Sequence, residues 1–248
     1  LTDHGSLAGS YEFYKEAVKT GMKPILGLEA YWTMDHKTTK ENDLAKSRPN
    51  YHMILLAKNK EGYQSLCKLS SLAYIEGFYY APRIDDKMLE EYGKNIISTS
   101  ACLGSRSSQL ILNGKKPEAL KQLQYYKELF GRDNFFLELQ THDNKEQRLV
   151  NEVLTDLNKE LKLNIIVTSD SHYLDCCDKQ LHDKFITMAT KSRLSDPKRF
   201  RFHDIDCDLP TYSQLVARCS QVGIPEEAIS NTNYIADMIT PDYFDPII

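Results

Sequence analysis

Five short apolar runs, separated by stretches with helical spacing or enough chain for a crossover, constrain this 248-residue chain to an α/β architecture. The runs cover residues 24–31, 51–57, 95–100, 135–139 and 164–168. Between them, Leu7, Tyr11, Tyr14 and Val18 recur at intervals of three or four, and Gly21 and Pro24 end that helix. Asn59 can cap a helix carrying Tyr63, Leu66, Leu69 and Leu72. Pro117 suits the start of a further helix with Leu120, Leu123 and Leu129, which Gly131 stops. Leu149, Val153, Leu154, Leu157 and Leu161 line a longer one.

Continuous apolar runs suit strands buried on both faces, so a parallel barrel or open sheet is expected over an antiparallel one. A polar stretch over 35–50 reads as a loop. Beyond about residue 175 the strands stop, and 176–191, 212–221 and 225–239 read as helical. The chain therefore divides into a strand-bearing part, 1–175, and a helical remainder, 176–248. Its Pro-punctuated tail, Pro241 to Pro246, reads as a connector.

Composition narrows the class. With 41% hydrophobic residues the chain can bury a substantial core, which excludes disorder. The sequence has 31 Lys+Arg against 35 Asp+Glu, a net charge of −4, so any contact with nucleic acid must be local. No apolar run approaches the roughly 20 residues of a membrane span, and no signal peptide follows Leu1. Six cysteines without a CxxC pair point to reduced thiols and a cytoplasmic location, with no membrane partner.

Groups able to bind metal fall just past the strand runs. His4 follows Asp3 at the start, Glu29 closes one run, Cys102 follows another, His142 a third, and Asp170 and His172 the last. His52 is the exception, because it stands at the beginning of its run. In parallel α/β folds the carboxyl ends of the strands form the functional rim, which would gather these distant side chains. Singly, each has a plainer reading: a cap, a loop hydrogen bond or, for Cys102, a small core residue. Glu29 fits that reading least, since a carboxylate continuing an apolar run needs a partner or an ion. Imidazoles, carboxylates and a thiol together suit zinc, manganese or iron better than magnesium or calcium. Ions about 3.5 to 4 Å apart can acidify a water, orient a phosphoryl oxygen and stabilise a leaving alkoxide, so phosphoester hydrolysis is the natural reaction class.

Six ordered segments carry a resemblance. They are Leu1-Thr2-Asp3-His4-Gly5, residues 21–31, Tyr51-His52 with 55–59, Glu76 to Tyr80, Ser100 to Gly104, and Thr168 to Leu174. Together they resemble the PHP (polymerase and histidinol phosphatase) domain of bacterial replicative DNA polymerase III alpha subunits, and Asp196-Pro197 with 199–202 resembles the segment that follows it. The resemblance implies a distorted (β/α)7 TIM-like barrel with a helical C-terminal connector and up to three zinc or manganese ions, with iron a further option. It implies His4, Glu29, His52, Cys102, Asp170 and His172 as ligands, with Glu29, Asp170 and His172 catalytic and Asp3 and His142 orienting ligands or substrate. Three further ligands of the family would precede Leu1, so the resemblance implies an N-terminally truncated piece.

Functionally, the resemblance implies part of a DNA-directed DNA polymerase in replication, with a 3′–5′ exonuclease or phosphoesterase site suited to proofreading. The alternatives are a non-catalytic scaffold and a stand-alone phosphatase of the histidinol-phosphatase type. The implied partners are DNA, the palm and fingers of the same full-length chain, a proofreading exonuclease subunit and other replisome components. Lys191, Arg193, Lys198, Arg199 and Arg201, interleaved with Phe200 and Phe202, could track a nucleic-acid backbone or form a face packed on the polymerase domain.

Overall fold

The computed structural model describes residues 1–36, 50–202 and 205–244. In chain order the elements are α1 (Ser10–Lys19), β1 (Gly27–Trp32), β2 (Tyr51–Ala57), α2 (Lys60–Ile75), β3 (Arg83–Ile84) and α3 (Asp86–Tyr92). There follow β4 (Ile96–Thr99), α4 (Arg106–Leu112), α5 (Lys116–Phe130), β5 (Phe135–Gln140), α6 (Lys145–Leu161) and β6 (Ile165–Thr168). The described C-terminal part is helical, with α7 (Lys179–Ala189), α8 (Tyr212–Val222) and α9 (Glu227–Met238). The loop expected over 35–50 lies mostly, over 37–49, outside the described residues.

All five expected strands form. The sixth, β3, is two residues long and too short to leave a pattern, as α3 and α4 are at seven residues each. The sheet runs β3-β1-β2-β4-β5-β6. Among the described residues no pairing joins β6 to β3, so the TIM-like α/β arrangement is an open one. No described helix is long and apolar enough to cross a membrane.

The parallel sheet expected from the apolar runs is corrected at one strand. β1 pairs β3 in parallel, and β4, β5 and β6 pair in parallel, but β2 is antiparallel to both β1 and β4. An apolar run reports burial and carries no information about chain direction. The reversal explains the odd position of His52: the first residues of β2 lie beside the last residues of β1, with Tyr31 opposite His52.

Leu1 to Gly5 runs parallel beside β1. Gly27 and Glu29 donate to the Leu1 and Asp3 carbonyls at 2.9 and 3.1 Å, and Gly5 donates back to Glu29 at 2.9 Å. Leu28, Leu55, Ile97, Phe135 and Leu137 fill the core with the buried faces of the helices. Ile229, Ile235 and Ile239, in and just after α9, belong to the same core. The tail expected as a connector is packed over its first residues. Tyr243 is buried and donates to the Ala57 carbonyl at 3.1 Å, while Phe244 meets the rings of Tyr11, Tyr14 and Tyr63. Two aromatic anchors hold this segment against α1 and α2.

Candidate metal centre

Glu29 is the hub of the rim. It is buried on β1, with Oε1 2.6 Å from His52 Nδ1 and Oε2 3.4 Å from His4 Nδ1. Opposed positions in the β1–β2 pair are Glu29 with Ile54 and Tyr31 with His52, so Glu29 and His52 are diagonal neighbours on one sheet face. His4 reaches the same point because its segment bridges β1 at Glu29. Cys102, just past β4, has Sγ 3.3 Å from His52 Nδ1 and 3.8 Å from Glu29 Oε1.

Asp170 and His172 come from the loop after β6. The His172 ring centroid is 6.0 Å from that of His4, and its Nδ1 stands 2.7 Å from the Asp170 carbonyl oxygen. All six expected ligands line one cleft of about 740 Å³. Two backbone turns aim the outer donors: Ala101, before Cys102, has φ 55°, and Asp170 has φ 47°. Non-glycine residues adopt that region at an expense of about 1–2 kcal/mol each, and such strain concentrates where geometry is functional.

The charges are those of a cation site. Burial alone would push the Glu29 carboxyl up, but the hydrogen bond from His52 and the nearby imidazoles of His4 and His172 bring it below the usual range. Burial and the Glu29 carboxylate push Asp170 up. Burial, Glu29 and Asp170 push the Cys102 thiol well up. Beneath the rim, buried Glu138 accepts from Thr99 Oγ1 at 2.5 Å, Thr168 Oγ1 at 2.6 Å and Gln140 Nε2 at 3.1 Å. It thereby clamps β4 to β6 one residue before Ser100 and two before Asp170.

The PHP domain family matches residues 1–142 of the sequence. The chain belongs to the PHP domain family. Over all of its length it is 40% identical to the DNA polymerase III subunit alpha of Borreliella burgdorferi, covering 22% of that protein. It is 38% identical to that of Deinococcus radiodurans over 96% of this chain and 18% of the relative. With the Thermus aquaticus subunit it shares 37% identity over 98% of this chain and 20% of the relative. The chain thus spans about a fifth of the length of the curated relatives it matches.

Divalent metals are general to PHP domains, and the donors here fit one. His4, Glu29 and His52 offer ligand atoms within 4.8 Å of one another. Burial and the neighbouring carboxylates disfavour the Cys102 thiolate, and a bound metal ion would supply positive charge that favours it.

The remaining expected residues separate. His142 lines the PHP cleft; burial, then His172 and Arg218, lower its pKa to about 4, and its Nε2 has no hydrogen-bond partner among the described residues. Asp3 is exposed and does not line the cleft, because alternation along the segment turns it away from His4. Arg199 is committed elsewhere, with Nη1 and Nη2 at 2.6 and 2.5 Å from the two Asp183 oxygens. Arg201 lines the cleft beside Phe200 and Phe202, whereas Lys191, Arg193 and Lys198 are exposed and outside it.

Two ring-bearing residues of the cleft, among others, escaped the sequence reading. Tyr31 stacks on His4, with centroids 6.0 Å apart and planes at 10°. His182, on α7, packs against His172 at 5.3 Å and Phe202 at 5.5 Å. Two-residue alternation from Glu29 could have marked Tyr31; nothing in the helical spacing of α7 singles out His182.

Proposed function

We propose that this chain is the PHP domain of a DNA polymerase III alpha subunit acting in DNA replication, and that its cleft hydrolyses phosphodiesters at a DNA 3′ end. The observation that carries the reading is the convergence of His4, Glu29, His52, Cys102, Asp170 and His172 on one cleft whose outer wall carries Phe200, Arg201 and Phe202. These six residues would hold divalent ions, with zinc favoured by the Cys102 thiol and manganese the other fit. Bound there, such ions would supply Lewis acidity for water activation and for the charge on phosphorus.

The chain's own groups do the rest. Phe202, packed against His172 at 5.1 Å and His182, offers a face for a terminal base, and Arg201 a cation for its phosphate. His142, held neutral by burial, offers Nε2 as a hydrogen-bonding group for substrate or water. Glu29, Asp170 and His172 are the residues on which turnover depends. DNA and the other domains of the full-length polymerase are the partners of this reading, with a proofreading exonuclease subunit as a further one.

One observation favours a second reading, the scaffold. Arg199 is spent on Asp183, so part of the basic stretch serves the fold itself. The test loads the full-length chain with zinc or manganese and follows 3′-end release from labelled primer DNA beside His172→Ala. Release that depends on His172 is expected. Equal release by both proteins, or none from either, overturns the exonuclease reading and leaves the scaffold.

A further inference from the structure

Away from the rim centre, Asp35, His36 and Asp85 offer ligand atoms within 4.8 Å of one another. They come from the chain just after β1 and from the N-cap of α3, and Glu76, the C-cap of α2, adjoins them. The His36 and Asp85 side chains are only 6% and 1% exposed. Asp85 Oδ1 accepts the Met88 N–H at 3.1 Å, while Oδ2 accepts the His36 backbone N–H at 3.3 Å and lies 2.6 Å from His36 Nδ1.

A carboxylate accepts and does not donate, so the 2.6 Å contact puts a ring proton on Nδ1, and Nε2 is the ring atom that can offer a lone pair to a cation. That Nε2 is buried and has no hydrogen-bond partner among the described residues. It faces Glu76 Oε2 at 3.9 Å, too far for a hydrogen bond. Two atoms each bonded at about 2.0–2.2 Å to one ion stand roughly 3 to 4 Å apart, which is the separation observed. A buried carboxylate behind an imidazole, with the far nitrogen aimed at a further carboxylate, is how metal-binding histidines are oriented. The buried Arg83 guanidinium donates to the Gly77 and His36 carbonyls at 3.0 and 3.2 Å, which holds the backbone beside Glu76 and at His36 in place.

We propose that His36 Nε2 and Glu76 bind a divalent cation of the zinc type, with Asp85 orienting the imidazole. The ion ties the exit of β1 to the end of α2 and to the β3–α3 junction. It is a structural site, separate from the rim ligands, because none of these residues lines the rim cleft.

The test uses zinc dialysis and metal analysis of the full-length chain, together with thermal melting. The starting variant is Glu29→Gln with His172→Ala, which weakens the rim centre. It should retain one zinc equivalent that is lost on adding Glu76→Gln and, separately, on adding His36→Gln, and the zinc-induced rise in Tm should vanish with it. Glu76 is half-exposed at a helix end, so its replacement leaves the fold intact even if His36→Gln does not. A zinc content unchanged by Glu76→Gln, or no zinc in the starting variant beyond that of the Glu76→Gln protein, overturns the proposal.

Discussion

His52 Nδ1 lies 2.6 Å from Glu29 Oε1 although the two residues belong to strands running in opposite directions. The antiparallel turn of β2 makes the start of one strand and the body of another share a rim. Glu29 also contacts His4 and the Cys102 thiol, so removing its charge disturbs three other donors. Glu29→Gln should weaken zinc binding by roughly a hundredfold or more, read by competition with a chromophoric chelator. Affinity within a few-fold of the parent would show that Glu29 is not a ligand.

Gly104 sets how near the Cys102 loop can come to His52. Its carbonyl accepts the His52 backbone N–H at 3.0 Å, and a Cβ there would stand 2.7 Å from His52 Nδ1. The imidazole would have to swing away. Gly104→Ala should therefore cost about 1–3 kcal/mol of stability and lower metal affinity, while Gly114→Ala, where nothing lies within 4 Å but φ is +71°, should cost stability alone. Paired denaturant melts and metal titrations of the two variants check this.

His142 should make stability fall with acid. Its folded pKa is lowered to about 4 from 6.5 by burial, so between those values the unfolded chain binds the extra proton and the folded chain does not. The contribution is complete above pH 6.5 and is lost progressively as pH drops toward 4, up to about 3 kcal/mol in all. Urea midpoints across that window should decline less steeply for His142→Gln. Parallel slopes for the two proteins would remove His142 from the account.

Glu138 is buried and accepts from three donors, Thr99, Thr168 and Gln140. Glu138→Ala should leave those groups without an acceptor and open a void, at about 3 kcal/mol or more. Glu138→Gln keeps the volume and most of the bonds, and should lose less. Because the network ties β4 to β6, the Ala variant should also loosen the Asp170 loop, measurable as faster amide exchange over residues 169–172.

The five longest strands and the amphipathic helices were legible because each carries a local period: Leu149 to Leu161 marks α6 as clearly as the apolar run marks β5. The seven-residue α3 and α4 and the two-residue β3 carry too few turns or alternations to register. Chemical type was equally legible, since histidines, carboxylates and Cys102 past strand ends form a donor set whatever their exact approach. Roles for the basic stretch were not. Arg199 and Arg201 are two residues apart, yet one is bound to Asp183 and the other lines the cleft.

By itself the sequence determined the α/β class, the donors a metal could use and the segments that place the chain in the PHP domain family. These properties follow from local spacing and side-chain chemistry, which are written residue by residue. Only the tertiary structure decided that β2 runs against its neighbours, that Glu29 meets His4, His52 and Cys102 at one point, that Asp3 turns away, and that His182 and Tyr31 join the wall. Those outcomes depend on strand direction and register, which arise from pairings between residues far apart in the chain.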